Sequence, residues 1–295
     1  KGRRTLVVST TTSLYDTGLL EVINERFETL YPIDLYFISV GSGLAIQHAM
    51  RGDADLILVH APSSERDFLK GGYGACRKII AYNFFVIVGP EEDPVGIRKL
   101  NAIEALTRIM KAGRTGNTTW VSRGDESGTH VKEKELWAGA GFNWAQLKEE
   151  RWFLNTGSGM GNTLLVTNQK AAYTLADIGT YLQYSKDNRI SLKVLVEDDK
   201  RLLNVYSVIA VNPDKVPKVN FEDAVAFIKF LISDEGQNLI ENYRKKDYGS
   251  SLFYPAVNLL KRNSNPTIAQ WIRDYAFIDG TECPLEYRAR HPELY

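Results

Sequence analysis

The order of apolar segments near the start of the chain limits its fold more than any other feature. Short runs rich in β-branched residues predict strands at residues 5–9, 34–39 and 56–59. Apolar residues at three- and four-residue spacing predict a helix over 19–31, and a second helix begins after Gly41. This β-α-β-α-β order predicts a parallel sheet with right-handed crossovers. Such sheets bind their ligands beyond the carboxyl ends of the strands.

A second α/β pattern lies between two strand-like segments, 84–88 and 205–211, that both end before a proline. Inside it, predicted helices near 102–110 and 127–137 alternate with short predicted strands. We interpret this block as an inserted domain. The prediction assigns residues 1–88 and 206–295 to a first α/β lobe and residues 89–205 to a second. Two predicted helices near the C-terminus, over 221–244 and 267–277, return to the first lobe. Two chain crossings favour a hinge between the lobes.

Charge and hydropathy argue against several classes of protein. Lys+Arg and Asp+Glu number 36 each, so no net charge attracts nucleic acid or an anionic membrane. No apolar run reaches the roughly 18 residues of a membrane-spanning helix. The start of the sequence has no signal-peptide core, so we expect either a mature form without its leader or a cytosolic protein. Cys76 and Cys283 fit no metal-binding spacing, and both one disulfide and two buried thiols are compatible with the sequence.

One stretch of the second lobe is typical of an anion-binding helix start. Residues 122–129 read Ser-Arg-Gly-Asp-Glu-Ser-Gly-Thr and lie between a predicted strand and a predicted helix. Ser127 is a good N-cap, and the free N–H groups of Gly128 and Thr129 point at whatever lies over the helix end. Arg123 offers a forked, permanently charged donor pair to an oxyanion. Alone, the stretch is equally compatible with a capped helix and a surface arginine.

Three more turns rich in hydroxyl groups and glycine lie at predicted strand ends. Residues 10–13 read Thr-Thr-Thr-Ser, and their four hydroxyls and N–H groups can form a concave anion nest, in which Thr11, Thr12 and Ser13 are the candidate ligand-binding residues. Ser42 starts a helix between two glycines, and Gly159 lies in a glycine-rich turn of the second lobe. Each turn alone is explained by simple capping. Four such turns on two lobes favour anion binding.

His60 is a secondary candidate, because a single histidine after a strand is more often packed or hydrogen-bonded than ligand-binding. Motifs of zinc proteases, nucleophile elbows and phosphate loops are missing, so we predict no catalytic residue, no cofactor and no metal. An enzyme acting on a phosphorylated small molecule is the alternative of another class. Its metal would need a carboxylate from Asp125, Glu126 or Asp177.

In order and over nearly the whole chain, these motifs resemble those of periplasmic-type oxyanion-binding proteins, and within them the tungstate-binding proteins of ABC importers. The stretch 122–129 is shared with phosphate-binding relatives, whereas residues 10–13 and the His60-Ala61-Pro62 turn are more specific to the tungstate group. The resemblance implies a type II periplasmic-binding-protein-like fold. We therefore expect two doubly wound α/β lobes, a two-crossing hinge and a ligand cleft between the lobes.

The resemblance also implies a function without catalysis. We expect a periplasmic or extracytoplasmic monomer that closes around tungstate, with molybdate as a further ligand, and delivers it to the membrane permease of an ABC importer. Molybdate, sulfate and phosphate are the alternative ligands. Phosphate-binding relatives carry an aspartate at the position of His60, which accepts the proton of phosphate. The lack of this carboxylate argues against phosphate and for a fully deprotonated anion.

Overall fold

The computed structural model describes residues 2–295, which form two compact α/β units. The first unit comprises the chain up to Tyr82 together with Val205–Tyr295, and the second comprises Asn83–Asn204. The sequence pattern predicts residues 84–88 in the first lobe. The strand Val86–Gly89 instead pairs with two strands of the second unit, so this segment belongs to the insertion.

The first unit begins with alternating strands and helices. Its elements are β1 (Arg4–Thr11), α1 (Thr12–Tyr15), α2 (Leu19–Leu30), β2 (Ile33–Val40), α3 (Ser42–Met50), β3 (Leu56–Val59), α4 (Pro62–Lys70) and β4 (Gly74–Phe84). Helix α2 forms because Leu20, Ile23 and Phe27 recur at helical spacing and bury one apolar stripe. The predicted β-α-β-α-β order is confirmed.

The second unit repeats the alternation on a smaller scale. Its elements are β5 (Val86–Gly89), α5 (Ala102–Arg114), β6 (Trp120–Ser122), α6 (Gly128–Gly139), α7 (Trp144–Leu147), β7 (Phe153–Asn155), α8 (Met160–Gln169), β8 (Tyr173–Ala176), α9 (Ile178–Lys186) and β9 (Lys193–Val196). Helix α5 starts at a capping box, in which Asn101 and Glu104 satisfy each other's backbone N–H groups. Trp120 and Trp137 are fully buried at the centre of this unit's core.

The chain then returns to the first unit. The remaining elements are β10 (Leu203–Val211), α10 (Phe221–Ile232), α11 (Asp234–Asn242), α12 (Lys245–Tyr248), β11 (Tyr254–Pro255), α13 (Val257–Arg262) and α14 (Pro266–Ala276). The single helix predicted over 221–244 is wrong. Ser233 ends α10 and caps α11 by accepting a hydrogen bond from the Gly236 N–H, so the chain turns there.

Each unit contains one mixed sheet. The first has the order β11-β4-β10-β3-β1-β2, with β1 parallel to both of its neighbours. Thr11 pairs with Val40 and Thr10 with Leu58, so the carboxyl ends of β1, β2 and β3 lie level. Three strand ends therefore deliver their following turns to one edge of this sheet.

The second sheet has the order β7-β6-β8-β5-β9, with β6 parallel to β7 and β8. Ser122 pairs with Asn155, and Val121 pairs with Thr174, so these strands also end at one edge. The turns after β6 and β7 are adjacent for this reason. Among residues 2–295, no helix is long and apolar enough to cross a membrane.

Candidate functional site

The end of β1 and the start of α1 bring a small group of hydroxyls together in the first unit. Thr11 is buried and caps α1, since its Oγ1 accepts the N–H of Leu14 at 3.3 Å. Its Oγ1 also lies 3.3 Å from Ser13 Oγ. Thr12 and Ser13 are exposed, so their hydroxyls are accessible to a ligand. The structure places Thr11 at the last position of β1 and Thr12 and Ser13 in the first turn of α1.

Thr10 does not belong to this group, although the predicted nest began there. It is the penultimate residue of β1, its side chain is fully buried, and its hydroxyl donates to the Leu58 carbonyl at 2.7 Å. A hydroxyl committed to a neighbouring strand stabilises the sheet and cannot bind a ligand. The sequence placed the end of the strand too early because Thr10 and Thr11 resemble turn residues as much as strand residues.

His60 lies in the turn between β3 and α4 and contacts the same hydroxyls. Its Nε2 is 3.4 Å from both Thr11 Oγ1 and Ser13 Oγ, and its ring centroid is 5.0 Å from that of Tyr206. The sequence favoured a packed or hydrogen-bonded role, and this geometry agrees with it. The same geometry also places a neutral or cationic ring, rather than a carboxylate, beside the hydroxyl group.

A buried ion pair supports the His60 turn from inside. Glu65 accepts the N–H of Ala61 at 2.7 Å through Oε2 and the Nε of Arg77 at 3.0 Å through Oε1. Both charged side chains are fully buried. An unpaired charge at this depth would cost several kcal/mol, about 3–5 by order of magnitude. The pair therefore fixes the backbone immediately after His60.

Ser42 and the start of α3 lie at the end of β2, level with the end of β1. Gly41 caps the helix without a side-chain hydrogen bond, and the first intrahelical bond runs from Ala45 N to Gly41 O at 2.9 Å. The N–H groups of Ser42 and Gly43 consequently have no carbonyl partner within the helix. They form a second source of donors beside the partly exposed hydroxyl of Ser42.

In the second unit, Arg123 follows the last residue of β6 and is held by Asp125. Its Nη2 and Nε lie 2.7 and 3.2 Å from Asp125 Oδ2, and only 13% of its side chain is exposed. Its Nη1 points elsewhere and lies 3.5 Å from Thr129 Oγ1 at the start of α6. The sequence did not anticipate that a carboxylate two residues away would orient the guanidinium. Asp125 therefore fixes one edge of the fork and directs the other toward the helix start.

The pKa of Asp125 reports this arrangement. Burial alone raises it, but the hydroxyl and N–H of Ser127 together with the Arg123 guanidinium outweigh burial and hold the pKa below its ordinary value. Asp125 is therefore ionised at neutral pH. Ser127 N donates to Asp125 Oδ1 at 3.3 Å, so the same carboxylate also ties down the helix cap.

The backbone around Asp125 depends on a glycine. Gly124 has φ +56°, and a Cβ at this position would collide with the side chain of Asn155 at the end of β7. Ser127 then caps α6, since its Oγ accepts the His130 N–H at 3.2 Å. The N–H groups of Gly128 and Thr129 occupy the first helical positions, where no intrahelical carbonyl reaches them. The predicted helix-start donors are thus present.

The glycine-rich turn after β7 lies beside this group. Gly159 caps α8 without a side chain, and Thr163 N donates to Gly159 O at 3.1 Å. Thr156 is joined to β6 by a hydrogen bond from its N–H to Ser122 O at 3.0 Å. The adjacent ends of β6 and β7 thus bring Gly159 into the neighbourhood of the Arg123 turn.

A buried carboxyl beneath the Arg123 turn was not found from the sequence. Glu133 is fully enclosed, and its Oε2 accepts the indole N–H of Trp120 at 3.3 Å and of Trp137 at 3.2 Å. Ser122 also hydrogen-bonds to this carboxyl, and Trp144 donates to Ser122 Oγ at 3.2 Å. Burial raises the pKa of Glu133 to about 7, against the lowering effect of these donors. The spacing of Glu133 and Trp137, one helical turn apart, was the available signal.

His130 is the second buried ionisable group under the turn. Its Nδ1 accepts the N–H of Glu126 at 3.0 Å, and its ring lies 4.5 Å from that of Trp144. Burial, followed by the nearby Lys134 ammonium, lowers the pKa of His130. His130 is therefore neutral at pH 7. Together with Glu133, it forms a rigid base for the turn.

Within residues 2–295, no group of three or more His, Cys, Asp or Glu side chains is arranged to hold a metal ion. Two of the carboxylates considered for an enzyme have other partners. Asp125 is paired with Arg123. Asp177 caps α9 by accepting hydrogen bonds from the N–H and the hydroxyl of Thr180, both at 2.8 Å. The two donor groups instead consist of hydroxyls, helix-start N–H groups and one guanidinium. Such groups are suited to bind an anion.

Comparisons with known proteins agree with this chemistry. Residues 1–235 match the family model described as the PBP superfamily domain. The chain is 44% identical over 273 residues to a putative ABC transporter anion-binding protein of Haloferax volcanii, covering 90% of this chain and 75% of the relative. It is 37% identical over 255 residues to the tungstate-binding protein TupA of Peptoclostridium acidaminophilum, covering 86% and 87% of the two chains.

A solved structure shows the same fold. The tungstate-binding protein TupA from Desulfovibrio alaskensis G20 superposes with a TM-score of 0.78 at 39% identity. The alignment covers 85% of this chain and 98% of that one.

Proposed function

Because the chain belongs to the TupA family of tungstate-binding proteins within the PBP superfamily, we propose that it captures tungstate outside the cytoplasm for an ABC importer. The same family membership underlies the proposed partner, a membrane permease that accepts the loaded protein. Molybdate, an oxyanion of the same shape and charge, is the second proposed ligand. The proposed activity is reversible binding without turnover.

The observation that carries the proposal is the orientation of Arg123. Asp125 engages Nε and Nη2, which leaves Nη1 directed toward the start of α6. At this helix start, a bound anion can accept hydrogen bonds from the N–H groups of Gly128 and Thr129 and from the Thr129 hydroxyl. A dianion gains charge-assisted hydrogen bonds of about 1.5–3 kcal/mol each from such donors.

We propose that the donor group of the first unit also contributes to tungstate binding. Thr12 and Ser13 contribute hydroxyls and N–H groups from α1, and Ser42 contributes its hydroxyl and N–H from α3. Thr11 acts mainly by capping α1, and Gly159 is the most peripheral candidate.

Selectivity against phosphate is proposed to depend on His60. Tungstate and molybdate carry no proton at neutral pH, so a site made of donors suits them. Phosphate retains a proton, which needs an acceptor. The ring of His60, 3.4 Å from the hydroxyls of Thr11 and Ser13, supplies no carboxylate at that position. A carboxylate there would repel a fully deprotonated dianion.

The proposal is tested by melting the protein with tungstate, molybdate, sulfate and phosphate in turn, followed by titration calorimetry. A ligand that binds only the folded state adds roughly 4 kcal/mol of stability at a thousandfold excess over its Kd. A large shift with tungstate and none with phosphate is expected. A shift with phosphate alone would overturn the proposed ligand, and no shift with any of the four would overturn anion binding.

A further inference from the structure

The two cysteines lie together in the first unit. Cys76 is in β4, and Cys283 lies in the C-terminal segment after α14, which we define as residues 278–295. Both side chains are fully buried. Two thiols enclosed in one region of one unit raise the question of whether they are joined.

The residue before Cys283 is fixed against the residues after Cys76. Glu282 accepts a hydrogen bond from Arg77 Nη1 at 2.9 Å through its carbonyl oxygen. Its carboxylate accepts from Lys78 Nζ at 2.8 Å and from Ile79 N at 2.7 Å. Three successive residues of β4 thereby hold the C-terminal segment in a defined register.

The cysteines themselves share partners. The Cys76 thiol donates to the Arg288 carbonyl at 3.1 Å, while Arg288 Nε donates to the Cys283 carbonyl at 2.9 Å. The backbone N–H of Arg77 hydrogen-bonds to the Cys283 thiol. Standard bond lengths place that nitrogen about 2.4 Å from the Cα of Cys76. The Cys283 sulfur is therefore one hydrogen bond from the residue that follows Cys76, which is close enough for a disulfide, whose Cα atoms lie about 4.4–6.8 Å apart.

The backbone of Cys76 adds an independent argument. Its φ is +55°, in the left-handed region that glycine adopts at least cost and that other residues enter only when their surroundings hold them there. Burial, followed by the neighbouring Cys283, also raises the pKa of the Cys76 thiol to about 12. A covalent bond from this side chain would hold the strained position and would remove a thiol whose ionisation burial opposes.

We propose that Cys76 and Cys283 form a disulfide that fastens the C-terminal segment to β4. The oxidant is a small-molecule disulfide such as oxidised glutathione. One Sγ–Sγ bond forms as the two S–H bonds and the S–S bond of the oxidant break, and the oxidant takes up the two electrons and two protons and is released as two thiols. The reaction takes place during folding, before burial closes the site to the oxidant. The loop it closes contains the entire second unit, so the unfolded chain is strongly constrained.

The test begins from denatured, reduced protein. The wild-type chain and the double variant Cys76→Ser/Cys283→Ser are refolded in a buffer of reduced and oxidised glutathione. Intact mass is measured without reductant, and thiols are titrated with Ellman's reagent in guanidinium. We expect the refolded wild type to have a mass two hydrogens lower than that of the fully reduced chain and to contain no titratable thiol. Two titratable thiols, glutathione adducts or disulfide-linked dimers would overturn the proposal.

Melting temperatures provide a second readout. Addition of reductant during unfolding is expected to lower the melting temperature of the wild type and to leave that of the double variant unchanged. Equal responses of the two proteins would contradict the proposal. Tungstate titrations of the double variant keep the two proposals apart, since both donor groups are intact in it. The disulfide can fail while tungstate still binds, and tungstate binding can fail while the disulfide forms.

Discussion

The two donor groups of the molecule differ in how they are built. The first unit offers the exposed hydroxyls of Thr12 and Ser13, the start of α3 at Ser42 and the ring of His60. The second unit offers a guanidinium that is 13% exposed and locked by a carboxylate that is 20% exposed. One group is polar and open, and the other is charged and preorganised.

This difference suggests a division of labour. A preorganised charge loses little side-chain freedom on binding, so the second unit should supply most of the affinity. Neutral hydroxyls can either donate or accept, so the first unit should respond to the protonation state of the anion. Affinity and selectivity can then be changed separately. The variants below test that separation.

The largest effect is expected for Arg123→Ala. Loss of the guanidinium removes the only formal positive charge of the two donor groups when His60 is neutral. It also leaves Asp125 without its partner, facing the anion. Tungstate affinity should fall by about 4 kcal/mol or more, roughly a thousandfold. Titration calorimetry with tungstate measures this loss.

A matched control is available in the same unit. Arg114 forms an ion pair with Glu150, with 2.8 Å between Nη2 and Oε1, on the surface of the second unit. Arg114→Ala removes the same side chain and the same charge away from the Arg123 turn. It should bind tungstate as the wild type does. Equal losses for the two variants would show that net charge, rather than Arg123, governs affinity.

The next largest effect is expected for His60→Asp. The carboxylate would lie against the hydroxyls of Thr11 and Ser13 and would repel a fully deprotonated dianion. We expect tungstate affinity to fall by about 3 kcal/mol, on the order of a hundredfold. Phosphate affinity, measured in the same titration series, should rise because the new carboxylate accepts the phosphate proton. His60→Asn, which adds no charge, should lose less tungstate affinity, and an equal loss would mean that packing against Tyr206 is the cause.

Local patterns predicted much of the fold. The helical periodicity of α2 and the short apolar runs of β1, β2 and β3 predict a parallel sheet. Each of these patterns is contained in a short, continuous stretch of sequence. The eleven-residue strand β4 was missed over most of its length. It contains Arg77 and Lys78, which are buried only because Glu65 and Glu282 pair with them. Such long-range pairing leaves no local pattern.

The same limit applies to the candidate site: local sequence signatures could be predicted, and long-range pairings could not. Ser127, Gly128 and Ser42 could be predicted because helix starts have local signatures of hydroxyl and glycine residues. The orientation of Arg123 by Asp125 could not, since it depends on the left-handed conformation of Gly124 beside Asn155. The Glu133 carboxyl was hidden because its donors come from β6, α6 and α7, which meet only after folding.

A smaller effect is expected for Ser13→Ala in the first unit. The exposed hydroxyl contributes one charge-assisted hydrogen bond, so tungstate affinity should fall by about 1.5 kcal/mol, or roughly tenfold. Ser63→Ala on α4, an exposed serine of the same unit, serves as the control. A loss from Ser13→Ala as large as that from Arg123→Ala would remove the proposed division of labour.

The smallest effect on anion affinity is expected for Glu133→Gln. This substitution should instead change how the free energy of unfolding depends on pH. The folded-state pKa of Glu133, about 7, lies above the ordinary value of 4.5, so the folded protein holds this proton more tightly than the unfolded chain does. Its contribution to stability is present below pH 4.5 and is lost as the pH rises to about 7. Glutamine keeps the size and one acceptor for the indoles but cannot titrate. Urea unfolding at pH 5 and pH 8 should therefore show the variant gaining stability relative to the wild type at the higher pH. Glu149→Gln removes an exposed carboxylate from the same unit and calibrates the general effect of charge on the free energy of unfolding. If the difference in free energy of unfolding between wild type and Glu133→Gln is the same at both pH values, Glu133 does not titrate in this range.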